Sequence, residues 1–196
     1  MIITLARQCG CNVDYIANNL SKYYGIPCYD KYAISEIAKK QGIYEKYPDF
    51  LAENQANIFL SSISDDLESD FVRKTPENAL KPVLDSGNCI IIGRCGNFVL
   101  RNNKNSARIY ISADKSERVN VIQNKHNISK KKAEIIVEET DQRRASYHEY
   151  YTGEKWGFAG NYDLCLNESR LGIDGVLYEI EHFVALLNTN ETSNSN

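Results

Sequence analysis

Met1 to Leu20, MIITLARQCGCNVDYIANNL, reads as an apolar strand, a tight polar turn and an amphipathic helix. Many proteins hold a nucleotide phosphate with this unit, because the turn and the helix N-terminus present backbone N–H groups to an anion. The common phosphate loop adds glycines for close approach, a Lys for the β and γ groups and a hydroxyl for Mg²⁺. Here the turn is Arg7-Gln8-Cys9-Gly10-Cys11-Asn12-Val13-Asp14, with one glycine, one cation and one acid, and no Gly-Lys-Ser/Thr. Val13, Ile16, Ala17, Leu20 and Tyr24 fall on one helical stripe, and Gly25 supplies a C-terminal stop.

Further short apolar runs at Ile26 to Tyr29, Cys89 to Ile92, Ala107 to Ile111 and Asp163 to Leu166 alternate with longer helical patterns. That alternation predicts an α/β fold: a central parallel sheet of about five strands with helices on both faces. Helices are expected over Ile34 to Gln41, Phe50 to Val72, Ser116 to Asn124 and Ser129 to Tyr151. Another is expected to open at Thr75-Pro76 and run toward Leu84, with Pro82 kinking it. One domain over 1–187 accounts for these elements, and the polar tail 188–196, NTNETSNSN, is expected to be disordered.

The bulk composition excludes several function classes. With 23 basic and 26 acidic residues the net charge is -3, which gives no general attraction to nucleic acid or to an anionic membrane, so any anion site must be local. No apolar run has the length of a membrane span, and a signal-peptide pattern is absent, so the expected location is the cytoplasm. Of the six cysteines, Cys28, Cys89 and Cys165 lie in or beside apolar strand-like segments and read as core thiols. Cys9-Gly10-Cys11 has the wrong spacing for a metal or redox pair. His126, His148 and His182 share no ligand spacing and read as structural or surface residues, so no protein metal site is expected.

Ligands of open parallel sheets bind beyond the C-terminal strand ends. Each strand here delivers polar groups there: Arg7 to Asn12, Asp30 with Lys31, Gly93-Arg94, Asp114 with Arg118, and Asn167. Asp141-Gln142-Arg143-Arg144 lies near the end of the longest helical pattern, before an aromatic, glycine-containing segment from Tyr147 to Trp156. Paired arginines there suit a lid over phosphates, because the planar guanidinium binds phosphate oxygens bidentately and stays charged when water leaves. The same residues also suit a helix laced by ion pairs to Glu138, Glu139 and Asp141, and spacing leaves both readings open. Tyr147, Tyr150 and Tyr151 likewise fit either a base contact or a homo-oligomer face.

Three segments, Ile90 to Arg94, Ala107 to Ala113 with Glu117-Arg118, and Asn161 to Asn167 with Leu171-Gly172-Ile173, resemble successive motifs of the cytidylate kinase-like proteins. Order and spacing match from Ile2 to about Phe183, and Tyr150-Tyr151-Thr152-Gly153-Glu154-Lys155-Trp156 is the most specific piece. The resemblance implies a three-layer P-loop kinase fold with a helical acceptor region near 30–86 and an arginine-bearing lid near 129–160. It implies transfer of the γ-phosphoryl of ATP, with Mg²⁺, to a nucleoside monophosphate such as CMP. By the same resemblance Arg7, Gln8, Gly10, Cys11 and Asn12 hold donor phosphates; Asp30, Lys31, Arg94 and Asp141 serve the acceptor; and Arg118, Arg143 and Arg144 neutralise the transferring group.

The first loop departs from that family. Ser-Arg-Gln/Glu-x-Gly-Ser-Gly-Gly-Arg is the usual pattern, against which Asn12 and Val13 replace two glycines, Cys11 a serine and Asp14 the basic residue. A carboxylate about 4 Å from a phosphate charge would cost roughly 4 kcal/mol per unit charge at an effective dielectric near 20. Two alternatives to the kinase reading follow: a catalytically impaired relative that binds a nucleotide or another anion, and a kinase for a different small metabolite.

Overall fold

Strand β1 (Ile2–Arg7) runs through the middle of a five-stranded, wholly parallel sheet, flanked by β3 (Cys89–Ile92) and β4 (Ser106–Ser112). Strand β2 (Cys28–Tyr29) lies outside β3 and β5 (Leu164–Asn167) outside β4, giving the order β2-β3-β1-β4-β5. The computed structural model describes residues 1–52 and 66–193. Ile3 pairs with Ile90 and Ala107, and Leu5 with Ile92 and Ile109. All six of these side chains are buried, as expected for strands covered on both faces.

Period-two alternation sorts β3 between two cores. Ile90 and Ile92 pack with Ile3, Leu5 and the stripe Val13, Ile16, Ala17 and Leu20 of α1 (Val13–Tyr24). Val176, Ile180 and Val184 of α8 (Glu168–Ser193) complete that layer. Cys89 and Ile91 face the other way, toward α2 (Lys31–Lys40), α3 (Pro48–Ala52) and α4 (Asp66–Leu84). Helix α5 (Gly96–Val99) follows β3 directly. Helices α6 (Lys115–His126) and α7 (Lys130–Thr152) form a pair with its own core of Val119, Ile122, Ala133 and Val137, joined by Cys9 from the first loop. No helix among the described residues is long and apolar enough to cross a membrane.

The strands lie where the apolar runs put them, and several helix boundaries move. α1 ends at Gly25, left-handed at φ 65°, and Ser129 caps α7 with its hydroxyl oxygen 3.4 Å from the Lys132 N–H. α2 begins earlier than the apolar pattern suggested because the Asp30 carboxylate accepts the N–H groups of Tyr32 and Ala33 at 3.0 and 2.9 Å. The helix start expected at Thr75-Pro76 does not occur: α4 runs through both Pro76 and Pro82. Thr75 is no cap, because its hydroxyl donates to the Phe71 carbonyl one turn back at 2.9 Å. Of the helix expected over Phe50 to Val72, the described parts belong to α3 and α4, and the rest lies outside the described residues. The tail expected to be disordered from Asn188 is helical as far as Ser193, and Gly172 (φ 67°, ψ 170°) breaks α8 near its start.

Candidate active site

The loop after β1 is tied to the rest of the protein by its own backbone. Gly10 has φ 91°, and a Cβ there would lie 2.6–2.8 Å from the backbone and Cβ of Arg118, so only glycine lets the loop approach α6 this closely. The Cys9 N–H donates to Asp141 Oδ1 at 2.6 Å. Arg118 Nη1 donates to Asp141 Oδ2 at 2.7 Å and to the Cys9 carbonyl at 3.1 Å. Arg118 Nε also donates to the Ala113 carbonyl at 3.0 Å. At the far side of the loop the Asn12 N–H donates to Glu168 Oε2 at 3.0 Å, and Asn12 Nδ2 donates to Glu168 Oε1. Two loop amides of the kind that would hold phosphate oxygens are therefore held by carboxylates.

The remaining loop side chains are similarly engaged. Gln8 Oε1 accepts the Ala113 N–H at 3.1 Å, and Cys11 Sγ lies 3.7 Å from the Ile111 carbonyl oxygen. Burial, reinforced by the Glu168 charge, pushes the Cys11 thiol up to about 12, so it stays protonated. Asp14 is largely exposed, with Lys125 Nζ at 3.9 Å. Loop residues 8–14 nevertheless border an open outer cavity of about 430 Å³, which is closed on its other sides by Arg7, Arg144 and the Val121–Lys125 face of α6.

A second, inner cavity of about 30 Å³ lies between β3 and the C-terminal half of α7. Gly93, Arg94 and Cys95 have φ of 75°, 54° and 54°, an uncommon run for residues with side chains, and Arg94 is only 3% exposed. Arg94 Nη1 donates to the Phe50 carbonyl at 2.6 Å and to the Tyr147 hydroxyl at 3.3 Å, while its guanidinium lies 5.7 Å from the Tyr147 ring centre. Arg7 Nη1 comes so close to Gly93 that a Cβ there would stand 2.8 Å away. Arg144 Nη1 donates to the Arg7 carbonyl at 3.1 Å. Asn97, Tyr147, His148 and Trp156 also line this cavity. Burial lowers the His148 pKa from 6.5 to about 4, so its imidazole is neutral at physiological pH. Arg7 and Arg144 line both cavities and form the seam between them.

These positions redistribute the residues named from sequence. Arg7, Arg94 and Arg144 come together, as do Gln8, Gly10, Cys11 and Asn12 around the outer cavity. Arg118 and Asp141 form a nearly buried ion pair that braces the loop, rather than facing either cavity. Asp30 caps α2, Lys31 lies over the Tyr32 ring at 4.9 Å, and neither they nor Arg143 line the two cavities. Sequence reasoning missed Asn97, His148 and Glu168. His148 was legible in principle, since it follows Arg144 by four residues and so shares its helix face. Asn97, three residues after Arg94 in the short α5, and Glu168, at the β5 to α8 junction, carry no such signal.

A parallel sheet in this order, with a strand–loop–helix unit at its centre and arginines delivered from a long helix, defines a P-loop kinase-type α/β protein. The chain belongs to the cytidylate kinase-like family, whose profile matches residues 2–170. That membership supports a kinase-like role toward a nucleotide or small metabolite. Among solved structures it is similar to an uncharacterized protein from Eubacterium ventriosum, at 24% identity and a TM-score of 0.70, over 94% of this chain and 98% of that one. It is also similar in fold to shikimate kinase from Bacteroides thetaiotaomicron, at 11% identity and a TM-score of 0.55 over 94% and 98% of the two chains. Shikimate kinase from Aquifex aeolicus aligns at 16% identity and a TM-score of 0.50 over 96% and 98%. Among curated proteins no sequence match is found.

Proposed function

We propose that this protein is a phosphotransferase of the nucleoside monophosphate kinase type, moving the γ-phosphoryl of ATP to a nucleoside monophosphate such as CMP. The observation that carries the reading is the seam: Arg7 and Arg144 border the inner cavity beside Arg94 and also the outer cavity beside the first loop. An acceptor phosphate in the inner cavity and a donor phosphate in the outer one would meet at these two guanidiniums. Phosphoryl transfer needs positioning and charge neutralisation above all, and the acceptor's own phosphate oxygen is the nucleophile, so no strong base is required. Arg94 and Arg7 hold and orient the acceptor, and Arg144 stabilises charge on the group in transit.

The loop does not fit Mg²⁺ as a Ser- or Thr-bearing loop would. Cys11 stands at the hydroxyl position as a protonated thiol, a poor ligand for a hard cation that takes oxygen donors. One observation favours a second reading, a relative that binds its phosphorylated ligand without efficient transfer. Asp141 and Glu168 already occupy the Cys9 and Asn12 amides. A coupled ADP-release assay with Mg²⁺, ATP and CMP decides between the two. ADP release that depends on CMP supports the kinase; CMP binding with neither ATP binding nor ADP release contradicts it and leaves the second reading.

A further inference from the structure

All three groups of Cys9 are held by the α6–α7 pair. Its N–H donates to Asp141 Oδ1 of α7 at 2.6 Å, its carbonyl accepts from Arg118 Nη1 of α6 at 3.1 Å, and its side chain is buried with Val119, Ile122, Ala133 and Val137. Arg118 Nη1 also donates to Asp141 Oδ2 at 2.7 Å. A peptide N–H and a guanidinium N–H thus converge on the two oxygens of one carboxylate, an arrangement equally suited to a pair of phosphate oxygens. Arg144, one turn further along α7, donates to the Arg7 carbonyl at 3.1 Å. This stretch of α7 is packed at both ends: Ala133 and Val137 lie in the core with α6, and Tyr147 and Tyr151 in the core with Phe50. Between those anchors, Asp141 and Arg144 bond it to the end of β1 and the first loop. Glu168, the carboxylate at the Asn12 amide, opens α8, so of these two acids only Asp141 shares an element with Arg144.

We propose that Asp141 is a displaceable latch: an anionic group arriving at the Cys9 amide takes the place of the Asp141 carboxylate and frees the middle of α7, with Arg144, from the first loop. This rests on the reading of the outer cavity as the donor side and makes Asp141 a positioning residue, acting on Arg144 and not on the ligand. Cys9 lines the outer cavity, which gives a ligand access to that residue. When Asp141 leaves, Arg118 stays on the loop through the Cys9 and Ala113 carbonyls, so its charge remains beside the arriving anion. One N–H cannot serve a carboxylate and a phosphate at full strength. Anion binding and the docked position of α7 therefore oppose each other, and each weakens the other by the same factor.

Inorganic tripolyphosphate, which carries the charge of a triphosphate without a nucleoside, tests the latch on the whole protein by calorimetry and amide hydrogen exchange. As it binds wild type, exchange across residues 138–146 should quicken several-fold. Asp141→Asn removes the competing charge and one of its two acceptor oxygens. Its affinity for tripolyphosphate should rise about tenfold, and residues 138–146 should exchange quickly with no ligand present. Glu139→Gln takes the same charge from an exposed position of α7 and should change the affinity by less than about twofold. A purely bracing role for Asp141 predicts the opposite sign, because a loop that loses its brace holds an anion less well. Unchanged or lower affinity in Asp141→Asn overturns the proposal, as does an equal gain in Glu139→Gln. So does exchange across 138–146 that bound tripolyphosphate leaves unaltered or slows, or an absence of binding to both wild type and Asp141→Asn at millimolar concentration. If Asp141→Asn does not fold, the wild-type experiment decides, and absence of binding there overturns the latch. A latch that passes these tests without any CMP-dependent ADP release stands while the kinase reading falls. ADP release from a protein that fails them does the reverse.

Discussion

The loop after β1 and the cavity beside β3 lie side by side at the same end of the sheet, and their polar atoms are engaged to different degrees. In the loop, the Cys9 and Asn12 amides hold carboxylates of Asp141 and Glu168, and Arg118 is paired with Asp141. In the cavity, Arg94 bonds the Phe50 carbonyl and the Tyr147 hydroxyl and Arg144 bonds the Arg7 carbonyl, while Asn97 Nδ2 and His148 Nε2, in residues that line it, have no hydrogen-bond partner among the described residues. A satisfied anion site must surrender its internal bonds before it accepts a ligand; an unsatisfied one gains bonds when the ligand arrives. On the proposed assignment of the two regions, the difference favours binding on the acceptor side over the donor side.

Arg94→Leu should break the comparison most severely. It removes the buried guanidinium held by Phe50 and Tyr147, and CMP affinity measured by calorimetry should fall by about two to three orders of magnitude. Unchanged affinity would mean that the cavity is not the acceptor site.

The next effect concerns His148. Because burial holds its imidazole near pKa 4 in the folded protein, the unfolded chain, near 6.5, binds more protons in between. The stability that neutral His148 contributes is therefore complete above pH 6.5 and declines as pH falls toward 4, by up to about 3 kcal/mol. Urea melts of wild type and His148→Gln across that window check it: the variant should show the shallower acid slope, and parallel curves would contradict the assignment.

The smallest effect is expected at the loop. Glu168→Gln keeps the shape of the contact to Asn12 but removes its charge, so the affinity for Mg²⁺-ATP should rise about three- to tenfold, while CMP affinity stays as it was. A fall in ATP affinity would show that Glu168 supports the donor site instead of competing for it.

The sheet and the α1 and α7 helices were legible because each depends on local signals: apolar runs, a 3.6-residue stripe, Gly25 and Ser129 at helix ends. The arginines of the cavity were legible as residue types, and Arg7, Arg94 and Arg144 do meet. What remained hidden was which partner each charged group takes. Arg118 could be read as a phosphate ligand because its actual partners, Cys9 and Asp141, lie 109 and 23 residues away in the chain. Asp14 looked like the main obstacle to phosphate from its place in the loop; it borders the outer cavity but makes no bond to the loop, its exposed side chain lying 3.9 Å from Lys125. Asp141 and Glu168, arriving from α7 and α8, are the acids that bond the loop. Thr75 failed as a helix start for a similar reason: its hydroxyl found a carbonyl one turn back, a choice that the local sequence leaves open.

The most direct test of the contrast between the two regions is a pair of calorimetric titrations on the same preparation, CMP without any triphosphate and Mg²⁺-ATP without CMP. A ready acceptor cavity beside a donor loop held by its own carboxylates predicts that CMP binds alone and binds more tightly than Mg²⁺-ATP. Tight Mg²⁺-ATP binding with no heat from CMP would contradict it.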